Sequence, residues 1–67
     1  MTITINGETY ADLQAGMSVS VLLAHLGFPE RKIAVECNRE IVPKSSYGKT
    51  ALQDGDVLEI ITFIGGG

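Results

Sequence analysis

Between Val19 and Leu26 the apolar residues Val19, Leu22, Leu23 and Leu26 recur every three or four positions, whereas on either side apolar residues alternate with polar ones. The two periods belong to different backbones: a helix with one buried face and strands with one buried face. A helix this short is not stable alone in water, so it must lie against the strands. The strand period opens the chain, with Met1, Ile3 and Ile5 on one face. Asn6-Gly7 follows, the dipeptide that best accepts the positive φ angles of a two-residue hairpin turn. A second strand is therefore expected to return through Thr9 and Tyr10 toward Leu13. Ser18 stands where an N-cap begins the helix, Gly27 where a left-handed C-cap ends it, and Pro29 prevents a restart.

After Pro29 the alternation resumes, with Ile33, Val35 and Cys37 on one face and Ala34 and Glu36 on the other. Asn38-Arg39 reads as a turn, Ile41-Val42 as a short return strand stopped by Pro43, and Lys44 to Thr50 as a loop or a single 3₁₀ turn. Asp54-Gly55-Asp56 then introduces the longest β-prone run, Val57 through Ile64. The order is β-β-α-β-β-β, an α+β chain with a mixed sheet and one main helix across one face. That is the ubiquitin-like β-grasp arrangement. One domain over 1–64 and a flexible glycine tail over 65–67 account for the sequence.

At 67 residues the chain is near the lower size limit for a core without staples. Its single cysteine cannot form an internal disulfide, and no CxxC or Cys/His cluster offers a metal site. The alternation from Met1 onward is unlike a signal or transit segment, and no run approaches the roughly 20 apolar residues of a membrane span. A reducing cytoplasm is the expected location. Net charge is −3, and the five Lys/Arg residues are scattered, so the concentrated basic surface that nucleic acid requires is missing. Proteins or small molecules are the expected partners.

The chemical feature is Gly65-Gly66-Gly67 directly after the last strand. Fixing each residue costs about 1–2 kcal/mol of backbone entropy, and glycine has no side chain with which to recover it. Extended, three residues reach roughly 10 Å and can thread a channel too narrow for side chains. These are the requirements for presenting the Gly67 carboxylate inside another protein's active site. A frayed terminus has the same composition, but here the strand runs into the glycines with no linker.

The chain resembles the ThiS family of thiamine-biosynthesis sulfur carriers, within the ubiquitin-like carriers that include the molybdopterin synthase small subunit. The resemblance spans the chain. It rests on Ile5-Asn6-Gly7-Glu8, Val19-x-x-Leu22-Leu23, Val35-x-x-Asn38, Glu40-Ile41-Val42-Pro43, Asp54-Gly55-Asp56, Glu59-Ile60 and Phe63-Ile64-Gly65-Gly66-Gly67. Tyr47 departs from the pattern, standing where tryptophan is often found. The resemblance implies that the chain is a protein cosubstrate and no enzyme. An E1-like, ThiF-type adenylyltransferase would use ATP and Mg²⁺ to adenylate the Gly67 carboxylate. A cysteine desulfurase or other persulfide donor would convert it to a thiocarboxylate, and a ThiG-type thiazole synthase would take the sulfur. No cofactor is expected on the carrier itself. Three other readings share these residues: a molybdopterin-type carrier, a ubiquitin-like modifier joined to lysines through Gly67, and a plain interaction module. The absence of proline from Thr62-Phe63-Ile64 favours the thiamine carrier.

If Leu58 and Ile60 face the core, Val57, Glu59, Ile61 and Phe63 face away. Phe63 and Ile61, with Ile64, are then expected to bind partners beside the tail, since exposed apolar patches mark such sites. Cys37 shares the parity of Ile33 and Val35 and is expected to be core. His25 is expected to be solvated, Asp54 and Asp56 to form a turn, and Arg31-Lys32 to sit in a loop or beside the helix C-terminus. Tyr10 and Tyr47 are expected to fill the edges of the core.

Overall fold

The computed structural model describes residues 1–63. Five strands, β1 (Ile3–Ile5), β2 (Glu8–Tyr10), β3 (Ile33–Cys37), β4 (Glu40–Val42) and β5 (Val57–Thr62), form one sheet in the order β2-β1-β5-β3-β4. The helix α1 spans Val19–Leu26, and 3₁₀ turns cover Glu30–Lys32 and Lys44–Ser46. The last strand therefore lies in the middle, parallel to β1 and antiparallel to β3. This is the expected β-grasp arrangement.

Both hairpins close through two residues with positive φ, Asn6 and Gly7 (51° and 84°) and then Asn38 and Arg39 (52° and 71°). Each turn is flanked by a paired couple, Ile5 with Glu8 and Cys37 with Glu40. β2 does not continue toward Leu13 as the sequence suggested. It ends at Tyr10, opposite Ile3, where β1 begins. Leu13 is nonetheless buried, and its carbonyl accepts the Met1 amino group at 2.6 Å.

Every early amide of α1 has a partner. Val19 donates to the Thr50 carbonyl and Ser20 to the Tyr47 carbonyl, each at 3.0 Å, and Val21 donates to the Ser18 hydroxyl at 3.1 Å. The first turn of a helix leaves these donors without intrahelical acceptors, so the loop after β4 is tied to the helix start. At the other end Gly27 adopts φ 81°. Its amide reaches Ala24 and the Phe28 amide reaches Leu23, the Schellman closure. Val19, Leu22 and Leu23 are fully buried against Ile3, Ile5, Ile33, Val35, Leu52 and Leu58, while Leu26 packs at the rim.

Tyr47 corrects an expectation. It is not at the core edge but 1% exposed, among the largest buried side chains. The 3₁₀ turn and the bond from Ser20 to its carbonyl swing it inward beneath the helix. Burial pushes its phenol pKa upward, and the nearby Glu30 charge adds to the shift.

The turn asparagines do more than bend the chain. The Asn6 side chain donates from Nδ2 to the Ile60 carbonyl (3.2 Å) and accepts the Ile60 amide at Oδ1 (2.8 Å), prolonging β1 alongside β5. Asn38 accepts the Val57 amide at Oδ1 (3.0 Å) and donates from its own backbone to the Val57 carbonyl (2.8 Å). Replacing Asn6 should separate the two roles. Asn6→Gly keeps the turn and loses two hydrogen bonds, a destabilisation of about 1–3 kcal/mol. Asn6→Ala should cost about 1–2 kcal/mol more through its left-handed backbone. Urea unfolding of the three proteins measures both steps, and equal stability of the two variants would contradict the turn's role.

Candidate functional site

Strand parity in β5 is as the sequence suggested. Leu58 and Ile60 are buried, whereas Val57, Glu59, Ile61 and Phe63 stand on the face opposite α1. Ile61 and Phe63 are 50% and 60% exposed. The Phe63 amide donates to the Lys32 carbonyl at 2.8 Å, so the backbone is held one residue beyond the strand. Ile64 and the glycines Gly65, Gly66 and Gly67 lie outside the described residues.

Register places neighbours around these side chains that periodicity alone did not reveal. Ala34 stands opposite Ile61, and Glu36 lies between Glu59 on β5 and Ile41 on β4. Ile41 is 65% exposed and extends the apolar face. The signal was present in Asn38-Arg39: a two-residue turn makes Cys37 and Glu40 partners and so sets Glu36 against Ile41. Glu36 and Glu59 bring like charges together across the strands, an arrangement that repels. They line an open groove of about 460 Å³ with Asn38, Arg39 and Val57. The face is thus apolar near Phe63 and Ile61 and acidic farther back along β5.

The other singled-out residues have structural settings. Cys37 is half-buried at the core edge. Burial raises its thiol pKa, as do the Asp56 charge, a hydrogen bond to Asp56 and the Glu40 charge. A thiol held protonated is a poor nucleophile. Asp54 accepts the Thr2 amide at 2.6 Å, and Asp56 accepts the Gln53 amide and the Asn38 side chain. Asp56 thereby closes the turn before β5, and Asp54 ties that turn to the residue before β1. His25 is exposed on α1. Arg31 and Lys32 lie in the first 3₁₀ turn, where Lys44 donates to the Arg31 carbonyl at 2.9 Å. Among the described residues no three His, Cys, Asp or Glu side chains gather as a metal site would need, and no helix is long and apolar enough to cross a membrane.

With this geometry in hand, the comparisons with known proteins converge. The sequence matches the model of the ThiS family over residues 2–67. It is 57% identical, over its whole length, to part of a thiazole synthase of Paramagnetospirillum magneticum, and spans only 20% of that protein. A thiazole synthase of Magnetococcus marinus is 43% identical over the same share. The sulfur carrier protein ThiS of Bacillus subtilis is 34% identical over 97% of this chain and 98% of its own. In structure, the thiamine biosynthesis protein ThiS of Geobacter metallireducens superposes with a TM-score of 0.84 at 32% identity, covering all of both chains.

Exposure decides what substitutions in β5 and just beyond should do. Phe63→Asp should change stability by no more than about 0.5 kcal/mol, as exposed positions do. Leu58→Ala, at 0% exposure, should cost about 2–5 kcal/mol. Thermal melts of the two variants check the assignment of faces, which comparable losses would contradict.

Proposed function

The chain belongs to the ThiS family, and from that premise we propose that it is a sulfur carrier for thiazole formation in thiamine biosynthesis, with the Gly67 carboxylate as its working group. The observation that carries the proposal is the position of β5. The central strand of the sheet ends at Thr62 with Ile61 and Phe63 exposed, and in the sequence Gly65-Gly66-Gly67 follow after Phe63-Ile64. The likeness to the Bacillus subtilis sulfur carrier over nearly the full length of both chains supports the same reading.

The chemistry asks little of the carrier beyond its end group. A carboxylate is a poor electrophile. An adenylyltransferase using ATP and Mg²⁺ joins the Gly67 carboxylate to AMP and releases pyrophosphate. The terminal sulfur of a cysteine persulfide, such as one on a cysteine desulfurase, then attacks the acyl carbon and AMP leaves. A second thiol reduces the resulting sulfur–sulfur bond, leaving a thiocarboxylate on Gly67. That soft nucleophile delivers sulfur to thiazole synthase. The chain acts as cosubstrate, and neither His25 nor Cys37 is assigned a proton or a bond in the scheme. ATP and Mg²⁺ belong to the adenylating partner.

Partner recognition falls to the face beside the tail. Phe63 and Ile61, continued by Ile64 in the sequence, supply an apolar contact, and apolar patches of this kind commonly seat partners. The thiazole synthases of Paramagnetospirillum magneticum and Magnetococcus marinus each contain a segment matching this entire chain, which supports that enzyme as one partner. A reducing cytoplasm suits both a thiocarboxylate and an unpaired Cys37.

Incubation with the adenylyltransferase, ATP, Mg²⁺ and a persulfide donor should raise the intact mass by about 16 Da, one oxygen exchanged for sulfur. Removal of Gly67 should abolish that gain and leave the thermal melt unchanged. A truncated chain that still gains sulfur would overturn the proposal. A ladder of high-mass conjugates in lysate would make the chain a modifier instead.

A further inference from the structure

β5 has neighbours on both sides only up to Ile60. The Asn38 amide bonded to the Val57 carbonyl and the Phe63 amide bonded to the Lys32 carbonyl set the alternation of the ladder. Odd-numbered residues of β5 turn their backbone groups toward β3, and even-numbered ones toward β1. On the β1 side Leu58 accepts the Asn6 amide, and Ile60 is taken by the Asn6 side chain. The register of β1 with β5 ends at Ile5 opposite Leu58. Thr62 comes next, exposed, its amide and carbonyl directed past the end of β1. Among the described residues no strand stands across from it.

The other free edges of this sheet are guarded and this one is not. β2 has three residues and begins with Glu8, and β4 has three residues, begins with Glu40 and is followed by Pro43 and Lys44. Short length, charge and proline are the usual means of keeping a sheet edge from pairing. Ile60-Ile61-Thr62-Phe63 has no charge and no proline, and it is β-branched and aromatic throughout. It also leads directly into the four residues at the end of the sequence.

We infer that the Thr62 edge of β5 is a strand-pairing site, taken by an extended segment of thiazole synthase that adds to the sheet where β1 stops. The inference rests on the sulfur-carrier reading for its partner and on the ladder geometry for its mode. Backbone bonds to Thr62 supply the pairing, while Ile61 and Phe63, one on each side of it, meet apolar side chains of the enzyme on the open face. The segment holds the chain extended as it enters the glycines, aiming the tail.

Amide hydrogen exchange by NMR on the full chain tests this directly. In the free protein the Thr62 amide should exchange about tenfold or more faster than those of Ile61 and Phe63, which face β3. With thiazole synthase from the same organism at saturation, the Thr62 amide should slow by at least about tenfold. An ester in place of the Ile61–Thr62 amide, introduced by ligation at Cys37, removes that donor and keeps every N–H donor of the β3 ladder, while the Ile61 carbonyl that faces β3 becomes a weaker acceptor. It should weaken binding by about tenfold and lower the melt only slightly. Binding with Thr62 still exchanging fast, or with full affinity for the ester, would overturn the pairing and leave the carrier reading standing. Failure to bind the enzyme at all would overturn both. Protection of Thr62 in the protein alone, growing with its concentration, would make a second copy the occupant and overturn the inference.

Discussion

The structure depends on the insertion of the last strand between the first and the third. β5 satisfies both of its edges only with β1 on one side and β3 on the other, parallel to the first and antiparallel to the second. Asn6 and Asn38 secure the arrangement from the tips of the two hairpins, each spending a left-handed backbone to place an amide side chain on β5. The helix then closes one face over Leu58 and Ile60. As a result, β5 is held along both edges as far as Ile60 in a very small domain.

Much of this was legible in the residues. The periods of two and 3.6 identified the elements, Asn6-Gly7 and Asn38-Arg39 located the turns, and Ser18 and Gly27 bounded the helix with the hydrogen bonds expected of them. The buried and exposed faces of β5 followed from parity alone. What escaped depends on contacts between segments far apart in sequence. Nothing local tells that Tyr47 turns inward, since the Ser20 amide that holds its carbonyl lies in the helix. Nothing local ends β2 at Tyr10; the length of β1 does that. The likeness of Asn6 to an ordinary turn residue likewise hid its bonds to Ile60, 54 positions away. The facing of Glu36 and Glu59 is a matter of register, which periodicity does not specify.

The division of labour follows from these contacts. Side chains that look chemically capable are committed elsewhere: Asp54 and Asp56 to the turn before β5, and Cys37 to the core rim as a thiol kept protonated. The face that the proposed function gives to partners is graded from apolar at Phe63 to acidic at Glu36 and Glu59, and in the sequence a run of glycines follows it. In the proposed function such a domain serves as a grip whose reactive atom is supplied by its own backbone.

Exchange of labelled pyrophosphate into ATP by the adenylyltransferase isolates the first chemical event, before any sulfur donor enters. With the intact chain as cosubstrate the exchange should proceed. With the same chain carrying a carboxamide at Gly67 it should fall to the background of the enzyme alone, although the amide protein still competes for binding. Equal exchange from both forms would mean that some other group is activated, and the account of the tail would be wrong.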